Sequence, residues 1–301
     1  MTRLHEAQID VPDALARSLV DHQFPQWSSL PLVRANSDGT INRVDFLGDD
    51  LVVRMPFIDW GADDTERHAT LPPALRDALG VEVPELVARG APAPGMPWEW
   101  GVYRRIAGRH PVACDATDEA AVLAGITDLL LALRSVPTDG VAPSPAAFDA
   151  AADDAATRPK VAALGSRAAA RAWDEAVQAS ESRSARAASA PAPSWIHGDV
   201  MPGNLLLLDD STRGPRLHAV LDWAAAGSGD PTLDLLGAWT CLGPSARRAL
   251  FEAVRATPLD IAVARGFAVR KVAWGLPYYR ETLPGFAAVL AFTLEQLEAD
   301  D

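Results

Sequence analysis

Three oxygen-bearing side chains follow one another at spacings that suit phosphoryl transfer. Residues 195–208 read WIHGDVMPGNLLLL, so Asp199 and Asn204 share a short polar stretch that runs into the apolar segment Leu205–Leu208. The turn-forming residues DDSTRGPR come next, and a second apolar segment, Leu217–Leu221, ends at Asp222. Two apolar runs around such a turn predict an antiparallel hairpin. In that ladder the residue before the first strand lies beside the residue after the second. Asn204 and Asp222 are therefore expected at one open end, with Asp199 on the connecting loop curling over the same point.

Two carboxylates and a carboxamide are hard oxygen donors, the kind that select Mg2+. Such an ion completes its octahedron with nucleotide phosphates and water, and a carboxylate left off the metal can orient or deprotonate an acceptor hydroxyl. On this reading Asn204 and Asp222 hold the metal and Asp199 is the base.

These residues need a scaffold, and the rest of the chain predicts one in two parts. In the first hundred residues Val44–Leu47 and Leu51–Met55 flank Gly48-Asp49-Asp50, the grammar of a hairpin. Trp98–Ile106 is a third strand-like run, and Asp64–Leu79 reads as a helix broken or restarted at Pro72-Pro73. From Thr117 the pattern turns helical: Val122, Ile126, Leu129, Leu130 and Leu133 recur at helical spacing behind a Thr117-Asp118-Glu119 start, and Pro137 closes the segment. Lys160–Ser180 keeps an apolar stripe and is read as helical, with Ala187–Ser194 as a linker; a disordered spacer is the alternative. After Pro231 the chain is helical to its end, with Trp239, Phe251, Trp274 and Phe292 as packing residues. The expected fold class is α+β, a β-rich N-terminal lobe (1–105) and a mostly helical C-terminal lobe (106–301) that carries the catalytic β-hairpin.

Composition excludes several classes. With 49 % hydrophobic and 22 % charged residues the chain is an ordinary globule. A formal charge of −13 does not suit a nucleic-acid binder, which needs clustered cations. Among 27 Lys and Arg only Lys160 and Lys271 are lysines, so Arg is expected in roles usually given to Lys. Cys114 and Cys241 form no CxxC and read as small core residues of a reducing compartment. No apolar run approaches the ~18 residues of a membrane span, and MTRLHEAQIDVP lacks the pattern of a signal peptide. A cytoplasmic protein, monomer or homodimer, is expected.

His197-x-Asp199, Asn204, Asp222 after an apolar strand, and Gly229-Asp230-Pro231-x-x-Asp234 together resemble the catalytic core of the aminoglycoside phosphotransferase family. SDGTIN (37–42), GDDLVVRMP (48–56) and WEWGVYRRIAG (98–108) extend the likeness over nearly the whole chain. The resemblance implies a bilobal protein-kinase-like fold using ATP or GTP with Mg2+, Asp199 as base and Asn204 and Asp222 as metal ligands. It further implies that His197, Asp230 and Asp234 brace the catalytic loop. Arg54 would contact the α/β-phosphates where protein kinases commonly have Lys, with Glu66 as candidate ion-pair partner. Gly39, Thr40 and Asn42 would cover the phosphates, and Val102–Arg105, including Tyr103 and Arg104, would hold the base. The acceptor implied is a small polar molecule, an aminoglycoside-like or other antibiotic. A metabolic acceptor of the amino sugar, homoserine or choline type is the alternative, and a non-catalytic pseudokinase sensor a more distant one.

Overall fold

The computed structural model describes residues 4–35, 39–62, 65, 67, 71–112, 115–185 and 191–300. The chain divides into two compact units: Met1–Leu71 with Glu82–Ala107 and Asp222–Ala224, and Pro72–Val81 with Gly108–Leu221 and Ala225–Asp301.

The first unit is built on a five-stranded antiparallel sheet in the order β1-β2-β3-β5-β4. Its strands are β1 (Leu32–Arg34), β2 (Asn42–Leu47), β3 (Leu51–Pro56), β4 (Leu86–Gly90) and β5 (Trp100–Arg104). The predicted hairpin is β2–β3, in register Leu47↔Leu51, with Gly48 supplying the left-handed φ of +61° that its turn requires. Side-chain alternation turns Val53 and Met55 of β3 and Trp100 and Val102 of β5 into one core. Helix α1 (Asp13–Gln23) closes this core with Ala16, Leu19 and Val20. The same alternation puts Arg54 on the opposite face of the sheet. Gly90 is required by packing: a Cβ there would lie 1.9 Å from the Trp100 ring.

In the second unit α2 (Pro73–Leu79) starts at the proline pair, where the sequence predicts a break or restart. Helix α3 (Ala116–Ser135) begins earlier than the Thr117 start expected from sequence, because the Asp115 carboxylate accepts the N–H groups of Thr117 and Asp118 (2.9 and 3.0 Å). Asp118 is thereby freed for a buried role. It accepts both arms of Arg109 at 2.6 and 2.7 Å, and Arg109 also reaches Asp209. Arg109 and Leu207 exchange backbone hydrogen bonds as well, which fastens the 108–112 segment to the hairpin of β7 (Leu205–Asp210) and β8 (Gly214–Val220).

The stretch for which a disordered spacer is the alternative holds two helices, α4 (Ala150–Ala163) and α5 (Arg167–Ala185). They pack with α7 (Pro258–Tyr279), where a Cβ on Gly266 would stand 2.2 Å from that of Ala176. Helices α6 (Pro244–Ala253) and α8 (Pro284–Glu298) complete the unit. The expected linker is corrected at its end: Ser194 opens β6 (Ser194–Ile196), which pairs with β9 (Gly227–Gly229), while residues 186–190 lie outside the described residues. Trp274 is a second correction. Trp239 is fully buried, but Trp274 is 46 % exposed and hydrogen-bonds Thr157. Cys241 is only partly buried, and Cys114 lies outside the described residues. Among the described residues no helix is long and apolar enough to cross a membrane.

Two outcomes follow from this packing. Gly90→Ala should lower unfolding stability by about 1–3 kcal/mol, since the Trp100 ring cannot move aside in a filled core; a urea midpoint equal to wild type would refute this. The forked bond from Arg109 holds the Asp118 carboxyl below its usual range. A depressed carboxylate contributes stability above its unfolded value, about 3.9, and loses it as pH falls through the folded one. Asp118→Asn should therefore be less stable than wild type at neutral pH, with the two urea midpoints converging below about pH 4. A gap that stays constant across pH would assign the loss to packing instead.

Candidate active site

The turn carrying Asp199 is held from beneath by a buried carboxylate. Asp234, 1 % exposed, accepts the backbone N–H groups of His197 and Gly198 at 2.8 and 2.7 Å. Burial pushes its carboxyl above the usual range, opposed by His197 and by the two N–H donors. Gly198 has a φ of +82°, and a Cβ there would come within 3.0 Å of Ala146 and Ala225, so the residue between His197 and Asp199 must be glycine. The His197 ring is fully buried. Its Nδ1 accepts the Asp199 N–H (3.2 Å), which leaves the ring proton on Nε2 to be donated to the Leu221 carbonyl at 2.8 Å. The imidazole thus ties the turn to the end of the hairpin.

The hairpin ladder continues one pair past its strands. Leu205 opposes Val220, and the Leu221 N–H donates to the Asn204 carbonyl at 2.8 Å. Asp222 is the next residue in the chain. On the other side, the Asn204 amide nitrogen donates to the Asp199 carbonyl (2.8 Å) and to its carboxylate Oδ2 (3.1 Å). That fixes the amide rotamer, and its oxygen remains as the acceptor end. The second carboxylate oxygen, Oδ1, pairs with the Lys271 ammonium from α7, which also stands 3.6 Å from the Met201 sulfur. Sequence reasoning missed Lys271 in this place.

Asp222 belongs to the other compact unit, with Arg54. The Arg54 Nη2 lies 3.3 Å from the Asp222 Oδ2. Asp222 has a φ of +58°, a left-handed conformation that Asp tolerates but that costs energy and persists where the surroundings impose it. Glu66, the expected partner of Arg54, lies outside the described residues, as do Ser37 and Asp38. The Thr40 carbonyl, next to Gly39, accepts a hydrogen bond from His5 Nε2 at 2.6 Å, and Asn42 heads β2 with its side chain buried. Tyr103 is buried in β5, while the Arg104 side chain points outward to Glu85 at 2.9 Å. The Arg104 and Arg105 N–H groups are bonded to the Glu85 and Asp50 carbonyls.

Asp230 caps the segment leading to Asp234 by accepting the Thr232 N–H and hydroxyl (2.9 and 2.7 Å). Buried Arg183 bridges Asp230 to Asp260, both at 2.6 Å, a link no local pattern announces. Among the described residues no three His, Cys, Asp or Glu side chains gather as a metal cage of their own.

Sheet, helices and the His197–Asp234 brackets define a protein-kinase-like phosphotransferase fold. The profile of the phosphotransferase enzyme family (APH) matches residues 32–274, and the chain belongs to that family. Among solved structures, the GDP and kanamycin complex of APH(2")-IIIa is similar at 20 % identity over 95 % of this chain and 99 % of that one, with a TM-score of 0.69. The GDP complex of wild-type aminoglycoside 2'-phosphotransferase-IIIa gives 0.71 at 20 % identity, covering 96 % and 99 %. An APH(4)-Ia complex with AMP-PNP and hygromycin B gives 0.59 at 17 %, covering 94 % and 96 %. No curated protein sequence matches the chain.

Asparagine at position 234 would keep one acceptor oxygen and set an NH2 group against the second N–H. Asp234→Asn should cost about 1–3 kcal/mol in urea unfolding, the penalty of one unsatisfied buried donor. Stability equal to wild type would mean that the two N–H bonds do not hold the turn.

Proposed function

We propose that this chain transfers the γ-phosphate of ATP or GTP to an alcohol group of a small polar molecule, with Asp199 as general base. The observation that carries the reading is the clamped Asp199 carboxylate, fixed by Asn204 on a turn that His197 bolts to the end of the hairpin. Family membership supports the class of reaction, and relatives of the same fold bind GDP, ADP or AMP-PNP.

In the proposed reaction the Asp199 carboxylate takes the acceptor hydroxyl proton as the acceptor oxygen bonds to the γ-phosphorus. The bond to the bridging oxygen breaks, and the nucleoside diphosphate leaves. Asn204 keeps the base in one orientation, so little is lost to reorganisation. Arg54 would hold phosphate oxygens through its forked donors. The donor set fits Mg2+: Asn204 with its amide oxygen turned to accept, and the Asp222 carboxylate one residue beyond its ladder partner, are the residues that would hold it. Bound there, the ion supplies charge neutralisation to the phosphates. Gly39, Thr40 and Asn42 would lie over the phosphates, with Tyr103 and Arg104 in the segment that meets the base.

For the acceptor, an antibiotic hydroxyl is the leading choice, since several relatives are solved with aminoglycosides. A metabolic alcohol is the second reading, and the site in that case works in the cytoplasm on the same chemistry. The fold does not choose between them, because one scaffold serves many acceptors.

Asp199→Asn should lower kcat by about 10²- to 10⁴-fold while leaving the nucleotide KM within about threefold, the expected loss of a general base. Phosphate transfer from Mg-ATP and Mg-GTP across an antibiotic and metabolite panel measures this. Chelation with EDTA should abolish turnover and added Mg2+ restore it. Undiminished transfer by the Asn variant would end the proposal.

A further inference from the structure

Only two lysines occur in the chain, and each meets a group beside or on the outer face of α7. Lys271 is on α7 and pairs with Asp199. Lys160, from α4, holds its ammonium 4.2 Å above the ring of Trp274. Residues 271, 274 and 278 share a helix face by their spacing of three and four. Trp274 and Tyr278 are 46 % and 48 % exposed on that face. The neighbouring charged groups are Arg270, which meets Asp153 at 3.2 Å, and Asp199 itself. Lys271 and Arg270 each face a carboxylate, so the surface beside the proposed base is aromatic with its charges paired.

The choice of Lys over Arg at this point has a chemical consequence. An Arg fork binds a carboxylate through both oxygens at once. The Lys ammonium is a compact point charge and takes one, Oδ1, leaving Oδ2 with the Asn204 amide and with a lone pair to spare. Nothing else strong competes for Lys271 among the described residues, since its second neighbour is the weakly accepting Met201 sulfur.

We propose that Lys271 positions the Asp199 carboxylate for proton transfer, holding Oδ1 so that Oδ2 keeps a lone pair for the acceptor hydroxyl proton. This rests on Asp199 being the base, as proposed above. Lys271 acts through Asp199 and is in that sense a positioning residue. Trp274 and Tyr278 offer faces on which a ring can stack.

The test uses the purified full-length chain and needs no known acceptor, because water serves as one. Phosphate release from Mg-ATP and Mg-GTP is measured for wild type, Asp199→Asn, Lys271→Met and Lys271→Arg. Both Lys271 variants should lose at least about tenfold in hydrolysis kcat, with the nucleotide KM within about twofold. The Arg variant should keep the wild-type melting temperature, because it retains an ion pair. Wild-type kcat in Lys271→Arg, with Asp199→Asn inactive, would reduce Lys271 to a structural tether and overturn the positioning role. Should the Met variant fail to fold, Lys271→Gln replaces it. If Asp199→Asn hydrolyses nucleotide as fast as wild type, or wild type turns over none, the failure is that of the kinase reading itself.

Discussion

One buried carboxylate governs the geometry of the site. Asp234 has no solvent to satisfy it, and an ionisable group at that depth is costly unless hydrogen-bonded. The His197 and Gly198 N–H groups satisfy it, and in doing so they fix two consecutive peptide planes. With those planes set, Gly198 must take its positive φ, the His197 ring must lie inward, and Asp199 emerges in one direction only. The bond from the imidazole to the Leu221 carbonyl carries the constraint to the hairpin end. A loop with few regular hydrogen bonds of its own is in this way made as rigid as the elements around it.

Elements whose hydrogen bonds are local could be read from sequence. The β2–β3 and β7–β8 hairpins announced themselves through apolar runs on either side of turn residues, and α3 through its apolar spacing. Elements formed by distant partners could not. β6 and β9 are three residues each, SWI and GSG, and pair across more than thirty residues of chain. Neither has a period to detect, and the tail of the supposed linker turned out to belong to one of them. Trp274 failed for another reason. A tryptophan on an apolar helix is a natural core residue, yet α7 buries Val269, Val272 and Ala273 and leaves the indole outside, bonded to Thr157 and covered by Lys160.

The same division holds at the site. Asp199, Asn204, Asp222, Asp230 and Asp234 fall within a stretch short enough for spacing and turn chemistry to relate them. Arg183 and Lys271 enter from helices α5 and α7, and ion pairs of that kind leave no trace in spacing. Lys271 stands 72 residues from Asp199 in the chain, too far for any local pattern to join the two.

Family and fold constrain the two halves of the chemistry unequally. The family is defined by phosphate transfer, and in this chain Asp199 and Asn204 are tied to a hairpin and to the His197 and Asp234 braces. The acceptor differs, and a likeness at 20 % identity or below carries the fold without carrying the acceptor. Information about the acceptor must then reside in side chains that do nothing for the fold. On α7 the inward residues pack, and Gly266 lets the helix approach α5 closely. The outward residues Lys271, Trp274 and Tyr278 are surplus to that packing. Side chains on the outer face of a helix secured by its other face can vary without loss of the fold, and here they are a cation paired with Asp199 and two aromatic rings.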